Sequence, residues 1–218
     1  MAIKAIAFDI DGTLYPNWKM QVNSIPFFAL HPKLIYKFGE IRKEIRTLEN
    51  IDDFYKIQAQ LLGKALSVST EEAAQLIEKY FYTEWEKTFS RIKPYGNVEK
   101  VIKSIRAMGL KTAVLSDFPI GEKLKYFGLD NLWDIEISSE DSGYLKPDKR
   151  PFLYLSEKLV LKPEEVIYVG NSYKYDVVGA KKAGMIAGHL SSSERYGSIA
   201  DFSFSNYTDF LEKINKFL

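Results

Sequence analysis

The stretch Ile3-Lys4-Ala5-Ile6-Ala7-Phe8-Asp9-Ile10-Asp11-Gly12-Thr13 decides how the rest of the chain reads. Ile3 to Phe8 is a nearly continuous apolar run, the pattern of a strand covered on both faces, and two carboxylates leave its end. Side chains alternate along a strand, so Asp9 and Asp11 lean the same way. In open α/β folds the crevice outside the carboxyl ends of parallel strands is where ligands bind. Acidic pairs also cap helices and fill solvated turns, so this stretch makes a site only if other strand ends supply partners.

Further partners follow along the chain. Thr112 to Leu115 runs into Ser116-Asp117, Lys146-Pro147 follows a turn rich in Ser, Gly and Asp, and Val166 to Val169 ends in Gly170-Asn171-Ser172. Around them strand and helix patterns alternate. Helices are expected over Val98–Met108, Gly121–Phe127, Pro151–Leu159, Tyr173–Ala183 and Asp209–Leu218, and strands over Lys111–Ser116, Asp134–Ser138, Val166–Val169, Met185–His189 and Ala200–Phe204. Such alternation predicts an α/β fold with a doubly wound, Rossmann-like parallel sheet and right-handed crossovers.

Residues 16–90 interrupt the alternation. Asp11 to Leu30 reads as an irregular connection because it holds Pro16 and Pro26; helices are expected over Lys33–Leu48 and Asp52–Leu62. A third helix starts at the capping box Ser69-Thr70-Glu71-Glu72 and carries Ala73, Leu76, Ile77, Tyr80, Phe81 and Trp85 at helical spacing. Three helices with no strand between them predict a small α-helical bundle inserted after the first strand. Ile92-Lys93-Pro94-Tyr95-Gly96 would be the hinge back to a core of residues 1–15 and 91–218.

Composition narrows the function classes. A net charge of +1, from 30 basic and 29 acidic residues with no long run of one sign, favours neither nucleic acid nor an anionic membrane as partner. Cysteine is absent, which excludes disulfides, thiolate zinc sites and a Cys nucleophile, and the cytoplasm is the expected compartment. Gly179 and Gly184 have P-loop spacing, but Met185 stands where the phosphate-binding Lys would be and the segment precedes a strand. His31 and His189 have no ligand partners at recognisable spacing and read as structural.

The four strand-end sites together resemble the haloacid dehalogenase superfamily, in its phosphatase members with a helical cap after the first strand. The resemblance implies that Asp9 is a nucleophile forming an aspartyl-phosphate and Asp11 its acid/base partner. It implies that Ser116 and Lys146 bind the phosphoryl oxygens, with Thr13 supporting the loop and phosphate pocket. Mg²⁺ is the implied cofactor, with Asp9, the Asp11 carbonyl, Asn171 and Asp176 as its ligand set, and a small phosphorylated metabolite the implied substrate. The departure is Gly170-Asn171, where the family commonly has Gly-Asp, so a neutral amide replaces a carboxylate. Asn171 is also the one support for a rival reading, a protein of this fold that binds or regulates with weakened catalysis; a phosphomutase is the other alternative. Asp11 argues against a dehalogenase, whose metal-free reaction needs no second carboxylate. The sequence leaves oligomeric state open.

Overall fold

A computed structural model describes residues 2–193 and 195–218; Met1, ahead of the expected first strand, lies outside them. The strand β1 (Ala5–Phe8) leads into α1 (Asn17–Leu30), α2 (Pro32–Ile45), α3 (Phe54–Leu66) and α4 (Thr70–Leu76). A π-helical stretch, Ile77–Glu84, passes into the single turn α5 (Trp85–Lys87) and a 3₁₀ turn, Thr88–Arg91. Strand and helix then alternate through α6 (Val98–Ala107), β2 (Lys111–Ser116), α7 (Lys123–Tyr126) and β3 (Ile135–Ser138). The chain continues through α8 (Lys149–Leu159), β4 (Val166–Gly170), a π turn at Tyr173–Val177 and α9 (Val178–Ala183). It closes with β5 (Ile186–Leu190), β6 (Phe202–Phe204) and α10 (Tyr207–Ile214).

All five strand pairings are parallel, in the order β3-β2-β1-β4-β5-β6. The sheet is buried on both faces, as the apolar run at β1 requires. Ile6, Phe8, Val114, Ile167 and Val169 meet the apolar sides of α6 and α10. Ala5, Ala7, Leu115, Tyr168 and Ala187 meet α8 and α9. Gly179 belongs to that second interface: a Cβ there would stand 2.3 Å from the Phe152 ring, so the glycine lets α9 close on α8. Its apparent P-loop spacing has this packing origin.

The expectation of irregular chain over residues 11–30 is corrected by α1. Pro26 sits inside that helix and removes one N–H, but the turns before it are complete. Packing supplies the stability that propensity does not: Phe27 and Ser24 are buried, Phe27 lies edge-on to Phe81, and Trp85 Nε1 donates to Ser24 Oγ at 2.9 Å. The predicted capping position at Ser69 is present, its Oγ accepting from the Glu72 amide at 3.1 Å. The inserted helices share a cluster of Phe38, Ile41, Leu62, Ala73, Ile77 and Phe81, in which Phe38 stacks on Phe81 with ring centroids 3.7 Å apart. Elsewhere α7 is shorter than expected, and the helix predicted from Tyr173 opens with a π turn.

Candidate active site

Register brings the strand ends together. Phe8 pairs with Val114 on one side and Val169 on the other, so Asp9 leaves β1 level with the ends of β2 and β4. The chain runs from β1 to β2 on one side of the sheet and reaches β4 on the other, which makes the β1/β4 edge a topological switch point where a crevice opens. A cavity of about 530 Å³ lies there, lined by Asp9, Asp11, Asp117, Lys146, Asn171 and Asp176 among others.

Asp9 is held on both oxygens. Lys146 Nζ donates to Oδ1 at 2.7 Å and Thr13 Oγ1 to Oδ2 at 2.7 Å. Thr13 is itself fixed, its hydroxyl accepting the Asn171 amide N–H at 3.0 Å, which ties the loop after β1 to the loop after β4. Gly12 makes the approach possible: its φ is +92°, and a Cβ there would fall 2.5 Å from Asn171 Nδ2.

Lys146 is buried among acceptors. Besides Asp9 it donates to Asp176 Oδ1 at 2.7 Å, to the Tyr168 hydroxyl at 3.1 Å and to the Leu115 carbonyl at 3.3 Å. Burial opposes its charge, but Asp176 and Asp9 outweigh that and hold the ammonium well above its ordinary range. Asp9 moves upward as well, first because it is buried, next because the like charge of Asp176 is close, with Lys146 opposing. One ammonium between two carboxylates leaves this floor short of positive charge.

Asp176, expected as a metal ligand, lines the same cavity, and like Asp9 it holds a protein group on each oxygen: Lys146 on Oδ1 and the Ser172 amide on Oδ2 at 2.9 Å. Ser116 reaches the end of β2 but has no exposed surface, and its Oγ accepts the Phe118 N–H at 3.2 Å. Asp117 and Phe118, the next two residues, line the cavity instead. Asp11 lies at the rim, where its Oδ1 accepts from the Tyr15 hydroxyl at 2.7 Å and Lys123 Nζ stands 3.2 Å from Oδ2.

Cation-holding capacity follows from the donor chemistry. Among the described residues no group of three or more His, Cys, Asp or Glu is arranged as a metal cluster. Asp9, Asp11 and Asn171 all line one crevice with a deficit of positive charge, and each brings hard oxygen donors. That sparse set suits Mg²⁺, which binds through one or two carboxylates and keeps several waters.

Several charged groups at the site carry no local signal in the sequence. Arg46 from α2 donates to the Lys146 carbonyl at 2.9 Å, pairs with the Asp117 carboxylate, and lies 4.8 Å from the Tyr175 ring centroid. Burial would raise Asp117, but Arg46, Lys146 and Arg42 together hold its carboxyl below the ordinary range. Arg42, one turn earlier, is buried: it pairs with Glu140, donates to Gln58 Oε1 at 3.0 Å and to the Asp117 carbonyl, and stacks on Phe118 at 4.0 Å. Glu140 also accepts from Tyr82 at 2.6 Å, so this chain of polar contacts joins the inserted helices to the loops after β2 and β3. His189 is buried and its Nε2 lies 3.2 Å from the Asn171 carbonyl; burial lowers its pKa, in keeping with a structural histidine.

Comparison with known proteins bears on the family and the fold. A phosphoglycolate phosphatase from Mannheimia succiniciproducens is 28% identical, covering 96% of this chain and 97% of its own. A glyceraldehyde 3-phosphate phosphatase from Methanopyrus kandleri is 28% identical over 84% of this chain and 82% of its own. The crystal structure of a 2-haloacid dehalogenase from Pseudomonas syringae pv. Tomato DC3000 superposes with a TM-score of 0.70 at 21% identity, covering 99% and 100% of the two chains, and shares the fold. The model of the haloacid dehalogenase-like hydrolases matches residues 3–184, most of the chain, and with the strand-end site described above it makes this protein a member of that hydrolase family.

Proposed function

We propose that this protein is a Mg²⁺-dependent phosphatase that hydrolyses a small phosphomonoester through an aspartyl-phosphate on Asp9. The observation that carries the reading is the doubly anchored Asp9 carboxylate at the crevice floor, beside a fixed ammonium and a second carboxylate at the rim. The relatives named as phosphatases of two- and three-carbon phosphates support the substrate class.

In the first step an Asp9 oxygen forms a bond to phosphorus as the ester P–O bond breaks, and Asp11 gives its proton to the departing oxygen. Water then attacks the acyl phosphate, Asp11 takes its proton, and inorganic phosphate leaves with Asp9 restored. Lys146 offsets the negative charge of the phosphoryl group, and Asp176 and Tyr168 keep it aimed at Asp9. Asp9, the Asp11 carbonyl and Asn171 would hold Mg²⁺, which would supply the charge neutralisation that lets an anionic carboxylate approach an anionic phosphate. The helices of residues 16–90 serve as a cap over the core formed by residues 1–15 and 91–218, selecting the leaving group and limiting water. The cytoplasm is the proposed setting; no helix among the described residues is long and apolar enough to cross a membrane.

The test is hydrolysis of 4-nitrophenyl phosphate and a panel of two- and three-carbon phosphates across a Mg²⁺ titration. Asp9→Asn should abolish turnover while the protein stays folded, and a phosphoryl mimic should label Asp9 in the wild type. Labelling of another carboxylate, or full turnover by Asp9→Asn, would overturn the assignment.

A further inference from the structure

Lys123 is a buried basic residue beside the crevice that the chemistry above leaves unused. Its side chain is 3% exposed, and among the described residues its carboxylate partner is Asp11, 3.2 Å away at Oδ2 and 3.4 Å at Oδ1. Three rings surround the ammonium: Phe89 with its centroid at 4.7 Å, Phe118 at 5.8 Å and Trp85 at 6.0 Å. Phe89 and Trp85 come from the last turns of the inserted segment, and Phe118 from the loop after β2. Aromatic faces attract a cation through the ring quadrupole, so the three rings and Asp11 together fix where the Lys123 side chain sits.

Asp11 has a second anchor. The Tyr15 hydroxyl donates to Oδ1 at 2.7 Å, and Tyr15 is fully buried, packed 5.1 Å from Phe127 and 6.0 Å from Phe89 between ring centroids. Its phenol is pushed upward, by burial first and then by Asp11, so it remains a donor. Two rigid donors therefore grip one side of a carboxylate that also borders the crevice. A lysine that merely anchored the single turn of α7 could reach solvent; this one is aimed inward at the rim of the cavity.

We infer that Lys123 and Tyr15 are positioning residues that clamp the Asp11 carboxylate, holding it in the orientation from which it exchanges protons across the crevice. The inference rests on the role proposed for Asp11 above. Neither residue contacts the reacting atoms, so their effect must pass entirely through Asp11. That requirement is testable, because groups acting as one unit are non-additive.

The experiment uses the full chain with Mg²⁺ and compares Lys123→Met in the wild-type and Asp11→Asn backgrounds, with 4-nitrophenyl phosphate and glycerol phosphate as substrates. In the wild-type background Lys123→Met should lower kcat for glycerol phosphate by about tenfold, part of what a general acid/base contributes, with KM within about twofold. In the Asp11→Asn background, read with the same ester, it should change turnover by less than about twofold, and in the wild-type background Lys123→Arg should keep most of the wild-type rate. Should Lys123→Met fail to fold, Tyr15→Phe, which removes the other hydrogen bond and no charge, carries the same comparison. An equal fractional loss in both backgrounds overturns the clamp and leaves the phosphatase reading standing. Absence of turnover with every ester in the wild type overturns the phosphatase reading and the clamp with it.

Discussion

Replacing Arg42 with Met should lower the melting temperature by roughly 10 °C at pH 8, with most of that loss recovered when Glu140 becomes Gln in the same chain. Met keeps the stem of the side chain and removes the guanidinium, leaving Glu140 fully buried with, among the described residues, only the Tyr82 hydroxyl as a donor to its carboxylate. Removing one partner of a buried ion pair costs about 3–5 kcal/mol, far more than the ~0–1 kcal/mol of a surface pair. For a chain of this size each kcal/mol moves the melting temperature by about 2–4 °C. Burial already raises the Glu140 carboxyl above its ordinary value even with Arg42 opposing, and loss of Arg42 raises it further. Between the ordinary carboxyl value and that raised one, the folded variant holds a proton that the unfolded chain has released, so its stability falls as pH rises through this window. The deficit should therefore be largest at pH 8 and shrink toward pH 5. Denaturant titrations at both pH values measure it. A loss below about 1 kcal/mol, equal at the two pH values, would mean the pair behaves as if solvated and would refute the reasoning.

Asn171→Asp adds one negative charge to the crevice and should tighten Mg²⁺ about tenfold, equivalent to about 1.4 kcal/mol, as read by calorimetry; unchanged affinity would put position 171 outside the metal shell. Gly170→Ala brings a Cβ to 2.4 Å from Asp176 Cβ and Cγ, so it should cost about 1–3 kcal/mol and reduce turnover as Asp176 is displaced from Lys146. Gly39→Ala, at a helix position with open space around it, should instead stabilise by up to about 1 kcal/mol; wild-type stability and turnover in Gly170→Ala would refute the packing argument.

What could be read along the chain and what could not divides on physical grounds. β1, β2 and β4 were legible because a strand covered on both faces must be apolar throughout, and Asp9, Lys146 and Asn171 because they stand where such runs end. α1 was obscured by Pro26 and by an apolar pattern that does not match burial: Trp18 and Ile25 are exposed while Ser24 is buried. Arg42, Arg46, Lys123 and Glu140 look in sequence like solvated helix or loop charges. The burial of Arg42, Lys123 and Glu140 and the half-burial of Arg46 arise only when α2, the segment ending at Phe89, and the loops after β2 and β3 meet, which is a property of tertiary packing that no local pattern carries. Tyr168 fitted its strand as one more core residue, and its hydroxyl on Lys146 became visible only in three dimensions.

The π turn after β4 has a consequence for phase. Each residue of an α-helix advances about 100° around the axis, and a π turn advances less, so residues after such a turn face a different direction from the one an ordinary helix would give them. Here the Asp176 amide keeps an ordinary four-residue bond to the Ser172 carbonyl at 2.8 Å, while the Val177 amide reaches back five residues to the same carbonyl and Val178 five to Tyr173, so the coil widens just beyond Asp176. Asp176 stays in step with Lys146 while Tyr173 and Tyr175 are carried out to the mouth of the cavity. The widened turn thus sets the shape of the entrance on the side of Tyr173 and Tyr175, while the four-residue bond before it fixes the carboxylate that meets the lysine at the floor.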